Sequence, residues 1–157
     1  MEGNFTRRGV APGNERQGWH GTPRLCRIGE GPMRTGFCNA ENCGVCGIIC
    51  ESFSLDRSGT SGRPGGGFQR FGQGIYTSTA SSKSEFYAGD GSQYGAILLT
   101  NIVVGNGYKM LVDDQSLTEP PPGYHSVLGE VGVRLNYDET VVYDEDAIRP
   151  SWLVIFR

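Results

Sequence analysis

The chain has 157 residues, with 14 basic and 17 acidic side chains, a formal net charge of −3 and 25 glycines. That length fits one domain with a sizeable core. The charge argues against a broad electrostatic footprint for nucleic acid. Abundant glycine with short aliphatic runs excludes a helical bundle. No apolar run approaches the ~20 residues that span a bilayer. The N-terminal stretch MEGNFTRRGV lacks the apolar core of a secretory signal, so an intracellular setting, nuclear or cytoplasmic, is expected. Residues 1–17 are polar and read as a flexible lead-in, and residues 18–157 as a single folded domain.

In chain order, Gly18-Trp19-His20-Gly21-Thr22 reads as a short strand entering a turn, and Cys26 to Cys50 is dense in cysteine. Ser58 to Gly67 is glycine-rich loop, a surface linker or a lid. Ile75-Tyr76-Thr77 reads as a buried strand. Ser81 to Glu85 reads as a helix start with a serine cap and a glutamate in its first turn, leading to Phe86 and Tyr87. Gly95 to Val104 is a near-continuous apolar run, expected at the centre of a sheet. Asn106-Gly107 marks a turn, and Tyr108 to Val112 is expected to continue the sheet. The PPPG loop of Pro120 to Gly123 precedes Tyr124-His125-Ser126-Val127, and Glu139 to Tyr143 and Trp152 to Phe156 read as further strands. The class is α+β with mainly antiparallel sheets.

Residue chemistry points first to Phe71–Tyr87. A glycine-punctuated approach, a buried strand and a capped helix can wall a pocket for a flat ligand, with Tyr76 and Tyr87 as two faces and Ser84 as a hydroxyl between them; they also suit an ordinary core. His20 and His125 are the two histidines. An acid heading an apolar strand, as Glu139 does, is unusual unless it caps or faces a site. His125 is expected to be structural or on the acceptor side, and Tyr137 and Tyr143 to belong to the core.

Three motifs stand in order: Trp19-His20-Gly21-Thr22, Phe71-Gly72-Gln73-Gly74-Ile75-Tyr76, and Asn136 to Asp144, reading NYDETVVYD. Together they resemble the catalytic domain of the poly(ADP-ribose) polymerases, the diphtheria-toxin-like ADP-ribosyltransferases, whose His–Tyr–Glu triad falls here on His20, Tyr76 and Glu139. Ser84 and Tyr87, eight and eleven residues after Tyr76, match the family's spacing for the residues that bond the nicotinamide amide and stack on its ring. PPGYHSVLGE and the closing RPSWLVIF extend the resemblance from Trp19 to Phe156.

The resemblance implies two packed, mainly antiparallel sheets with few short helices. It also implies an NAD-dependent transferase that releases nicotinamide and passes ADP-ribose to a protein or a nucleic-acid end. An NAD glycohydrolase and an inactive NAD- or ADP-ribose-binding module are the alternatives. His20, Gly21, Thr22, Tyr76, Ser84 and Tyr87 are the implied NAD contacts. The eleven residues between Val127 and Glu139 are few for a polymerising member, which favours mono transfer, while the retained Glu139 leaves elongation open. A preceding regulatory helical domain cannot fit in eighteen residues, which implies no autoinhibition of that kind. The glycine-rich loop falls where the family has its donor loop, with Phe68 or Phe71 expected near the pocket. Arg7, Arg8, Arg24, Arg27 and Arg34 could serve an anionic acceptor.

Four of the five cysteines lie within thirteen residues. A Cys43-x2-Cys46 knuckle with Cys26 and Cys38 nearby is the pattern of a structural zinc site; disulfides and free thiols are the other readings. Cys50 is then spare, a small hydrophobe beside Ile48 and Ile49.

Overall fold

Residues 12–31, 36–59, 69–88 and 93–157 are described by the computed structural model. Seven strands form two sheets. β1 (Glu15–Gly21), β3 (Gly95–Val103) and β7 (Ile148–Phe156) make one, in the order β1-β3-β7. β2 (Ile75–Thr77), β6 (Glu139–Val142), β5 (Ser126–Gly129) and β4 (Gly107–Met110) make the other, in the order β2-β6-β5-β4. All pairings are antiparallel except β4 with β5. Two α-helices stand among the described residues, α1 (Gly44–Glu51) and α2 (Ser81–Ala88). The expected class, α+β with mainly antiparallel sheets and few helices, is the one observed.

The main core lies between the sheets. Ile102 of β3 and Ile148 of β7 meet Ile75 of β2 and Val142 of β6, with Phe53 and Val104 between them. Successive residues of a strand face opposite sides, so Val141 packs the other way, with Phe71, Val127 and Leu135. Both faces of the second sheet are therefore covered, which accounts for the unbroken apolar run in ETVVY. A third cluster, Ile28, Cys43, Val45, Cys46 and Ala96, covers the first sheet near Leu153 and Ile155. Each of these aliphatic side chains contributes on the order of 1.5–3 kcal/mol by leaving water.

Four expectations about elements are corrected. β1 begins at Glu15, inside the supposed lead-in: Glu15, Arg16 and Gln17 pair with Val103, Ile102 and Asn101 while their side chains stay exposed. Backbone pairing with exposed polar side chains leaves no hydrophobic signal. Residues 1–11 lie outside the described residues. Tyr108 does continue as a strand, but in the second sheet, because the left-handed Gly105 (φ 61°) and the Asn106 turn carry the chain across. Glu85 falls in the second turn of α2, since the helix begins at Ser81. Tyr137 is exposed, whereas Tyr143 packs against the Phe71 cluster as expected. No helix among the described residues is long and apolar enough to cross a membrane.

Candidate NAD site

The two sheets touch where Trp19 bridges Ser78. Trp19 N–H donates to the Ser78 carbonyl at 2.7 Å, and Ser78 N–H returns to Trp19 at 3.0 Å. That junction brings the ends of β1, β2 and β6 around one cavity of about 560 Å³, within the range of small-molecule sites. His20, Gly21, Thr22, Tyr76, Ser84, Tyr87 and Glu139 all line it. Strand pairing and the placement of α2 thus gather residues separated by more than a hundred positions in sequence.

His20 Nδ1 lies 2.8 Å from the Tyr76 carbonyl. A carbonyl only accepts, so Nδ1 carries the proton and Nε2 of the neutral ring is left as an acceptor. Phe53 stacks edge-on against the ring, with centroids 5.0 Å apart. Burial holds the His20 pKa below the ordinary 6.5, partly offset by the bond to Tyr76, so the ring is neutral at physiological pH.

Tyr76 is fixed through its hydroxyl, which donates to the Gly72 carbonyl at 2.7 Å and accepts from Phe71 N–H at 3.0 Å. Gly72 is required there: its φ is +70°, and a Cβ would lie 1.8 Å from the Leu117 carbonyl oxygen. Burial raises the pKa of the Tyr76 phenol well above its usual range, so this tyrosine offers its ring and not a proton. Tyr76→Phe leaves Phe71 N–H without its acceptor in a buried turn. The expected cost is about 1–3 kcal/mol, read as a lower urea midpoint; an unchanged midpoint would show that the hydroxyl holds nothing in place.

Glu139 heads β6 and is 6% exposed, a value that makes its ionic partner necessary. Lys83, one turn into α2, pairs with its Oε1. Its Oε2 is buried and has no hydrogen-bond partner among the described residues. Buried carboxylate oxygens are rarely left unbonded, so Oε2 is poised for a donor from a bound molecule. On α2, Lys83, Ser84 and Tyr87 share a face by their three- and four-residue spacing, and all three line the cavity.

The opposite wall is α1. Gly44, Gly47, Ile48 and Glu51 line the cavity at i, i+3, i+4 and i+7, one helical stripe. This helix was not legible in the sequence, where the stretch is marked only by its cysteines. Thr22 packs against its first turn: a Cβ on Gly44 would lie 2.0 Å from Thr22 Oγ1. Arg57 and Lys83 are the cationic side chains of the lining. Neither was singled out from sequence, although Lys83 directly precedes Ser84 on the same helix.

Of the supposed lid, Ser58 and Gly59 line the cavity, and residues 60–67 lie outside the described residues, as does Phe68. Gln69 donates to Ser58 Oγ at 2.7 Å, and that hydroxyl donates to the Gly74 carbonyl, so both ends of the loop are tied to the start of β2. Phe71 is not at the pocket. It is 1% exposed and packs against Val127 and Leu135 on the far face of the sheet. Arg24 is unavailable to an acceptor, because it is buried and bound to Glu30, Ile28 and Tyr94; Arg27 pairs with Glu30 at 2.8 Å. Arg7, Arg8 and Arg34 lie outside the described residues. His125 serves the turn before β4, accepting Asn106 N–H on Nδ1 at 3.0 Å.

The sulfurs of Cys26, Cys38, Cys43 and Cys46 all lie within 4.8 Å of one another, on the far side of α1, and this cluster could hold a metal ion. Cys50 is exposed and outside it. Burial opposes ionisation of Cys43, but N–H bonds from Cys46 and Leu25 and its thiol neighbours outweigh it and hold that thiol below its usual pKa.

The family model of the poly(ADP-ribose) polymerase catalytic domain matches residues 3–134. Glu139 lies beyond that stretch, so its place in the site rests on the fold. Among curated relatives, the human protein mono-ADP-ribosyltransferase PARP4 is 32% identical over 124 residues, 71% of this chain and 7% of the relative. Its mouse counterpart is 37% identical over 92 residues, 54% of this chain and 5% of the relative. The chicken protein mono-ADP-ribosyltransferase PARP3 is 41% identical over 59 residues, 37% of this chain and 11% of the relative. The chain thus spans a small fraction of the length of these relatives. With two sheets meeting at one cavity and a match over most of its length, the chain belongs to the poly(ADP-ribose) polymerase catalytic-domain family.

Proposed function

We propose that the chain is an NAD-dependent ADP-ribosyltransferase that cleaves NAD at the nicotinamide–ribose bond and moves one ADP-ribose to a protein acceptor. The observation that carries this reading is Glu139 Oε2, a buried carboxylate oxygen without a partner among the described residues, in the cavity that also holds His20, Tyr76, Ser84 and Tyr87. The relatives' names support a protein acceptor and single transfer. The burial of Arg24 weakens the case for a nucleic-acid end.

In this reading Tyr76 and Tyr87 flank the nicotinamide ring. The Ser84 hydroxyl and the Gly21 backbone bond its carboxamide, and Thr22 closes the β1 end. His20 Nε2 accepts a ribose hydroxyl on the adenosine side, and Arg57 answers the pyrophosphate charge. As the C1′–N bond breaks, its electron pair leaves with nicotinamide and positive charge gathers on the ribose. Glu139 accepts the ribose 2′-OH on Oε2 and stabilises that charge, while Lys83 fixes the carboxylate through Oε1. The acceptor's lone pair then forms the new bond at C1′, and a hydroxyl acceptor gives its proton to the carboxylate. A structural zinc ion on Cys26, Cys38, Cys43 and Cys46, with no catalytic part, belongs to the same reading, as does an intracellular setting where thiols stay reduced.

Incubation with adenine-labelled NAD tests the proposal: the expected result is free nicotinamide together with labelled protein. Nicotinamide without any labelled protein would assign the glycohydrolase, and no nicotinamide at all would end the enzyme reading.

The neutral His20 gives a pH signature. Its folded pKa is lowered, so on acidification the unfolded chain takes up a proton at about 6.5 before the folded chain does. This contribution to stability is therefore complete above pH 6.5 and lost as pH falls below it. Protonation also removes the Nε2 acceptor. Calorimetric titration with NAD should show affinity falling on acidification through this region, and a His20→Gln variant whose weaker affinity is flat across it. A flat wild-type profile would remove His20 as a hydroxyl acceptor.

A further inference from the structure

The cysteine cluster and the cavity share α1, on opposite faces. Cys43 caps its start and Cys46 lies one turn in, facing the cluster, while Gly44, Gly47, Ile48 and Glu51 face the cavity. The donor geometry suits a tetrahedral thiolate site. Cys26 Sγ lies 3.9 Å from Cys43 Sγ and 3.5 Å from Cys46 Sγ. Four sulfurs at ~2.3 Å from one zinc ion would be about 3.8 Å apart. Leu25 N–H donates to Cys43 Sγ at 3.3 Å. Such a donor orients and stabilises a thiolate at a metal.

Apolar packing of Val45, Ile48 and Ile49 also holds α1, but as a helix it is intrinsically weak. It is eight residues long, carries two glycines, and its N-terminus makes no side-chain capping bond. Helices shorter than ~12–15 residues are marginal on their own, and each glycine costs about 1 kcal/mol against alanine. The main-chain tie from Val45 N–H to the Pro23 carbonyl, at 3.2 Å, joins it to the segment just after Thr22.

We infer that zinc on Cys26, Cys38, Cys43 and Cys46 is what holds α1 as a cavity wall, so that NAD affinity depends on metal occupancy although no zinc ligand lines the NAD cavity. The inference rests on the reading of that cavity as an NAD site. Metal loss frees Cys43 and Cys46, α1 loosens, and Gly44 withdraws from Thr22. If about a tenth of metal-free molecules keep the ordered helix, apparent NAD affinity falls about tenfold.

The test uses the full chain. Elemental analysis should find one zinc per chain, in wild type and in Cys50→Ser, and close to none in Cys46→Ser. Cobalt(II) in place of zinc should give the thiolate charge-transfer absorption of a tetrahedral site. Stepwise chelation of the wild-type chain, with NAD titrated at each step, should weaken NAD binding about tenfold and speed amide exchange selectively in residues 44–51; returning zinc should restore both. This chelation series stands even if Cys46→Ser does not fold. A purified chain without metal would overturn the inference, as would a metal-free chain with unchanged NAD affinity. A zinc-loaded chain that binds no NAD would instead overturn the NAD reading and leave the metal stoichiometry standing.

Discussion

Glu139→Gln is expected to keep the fold and the NAD affinity while nicotinamide release falls by about 10²–10³-fold, the usual loss when one preorganised group at a developing charge is removed. Glutamine has the same shape and can still accept from Lys83 through its amide oxygen. What it lacks is the negative charge that, in the proposed mechanism, answers an oxocarbenium-like ribose. Single-turnover release of nicotinamide and calorimetric NAD binding separate the two quantities. Turnover at the wild-type rate would remove Glu139 from the chemistry. Loss of binding equal to the loss of rate would make it a ground-state contact. Lys83→Met has a different signature. It strips the partner from a buried carboxylate that already lacks a partner for Oε2 among the described residues. Leaving a buried charge uncompensated costs on the order of 3–5 kcal/mol, so this variant should unfold more easily as well as turn over more slowly. In a double-mutant cycle the pair should be strongly non-additive, because once Glu139 is neutral Lys83 has no charge to hold.

The parts of this site that were readable in sequence share one property: each is a short string whose local conformation fixes its role. His20-Gly21-Thr22 runs off the end of β1, Ile75-Tyr76-Thr77 is the whole of β2, and Ser84 and Tyr87 are spaced for one face of a helix, so a resemblance over a few residues places them. What was missed depends on partners distant in sequence. Lys83 stands beside Ser84 in the chain, yet its role comes from Glu139, fifty-six residues on. Arg57 follows an unremarkable loop, and its guanidinium reaches Gly47 only because α1 passes there. α1 itself was hidden, because cysteine and glycine are poor helix formers and its cavity face includes two glycines. Phe71 was misplaced for the opposite reason. An aromatic beside the pocket motif invites a pocket role, but Gly72 at φ +70° turns the chain and sends the ring to the far side of the sheet. The cysteine quartet was legible from spacing, and the fold adds that its four sulfurs converge.

The second large effect is expected at Gly21, where the added atom is a single methyl. A Cβ built there lies 2.0 Å from the Ser84 carbonyl oxygen, 2.8 Å from its carbonyl carbon and 2.9 Å from Tyr87 Cβ. The first two are backbone, so no rotamer change relieves the clash; α2 as a whole must move off β1. That helix carries Lys83, Ser84 and Tyr87, and its displacement shifts the proposed nicotinamide contacts and the clamp on Glu139 together. Overpacking of this kind costs about 1–3 kcal/mol in stability, while a misplacement near 1 Å in a reacting site costs on the order of 10²-fold in rate. Gly21→Ala is therefore expected to lose far more activity than its fall in unfolding midpoint would suggest. Gly36→Ala is the matched control, since among the described residues a Cβ there meets nothing within 4 Å; it should leave both quantities unchanged. If Gly21→Ala loses stability but keeps wild-type NAD binding and nicotinamide release, then α2 can move without cost to the site. The close contact between Gly21 and Ser84 would then be packing and nothing more.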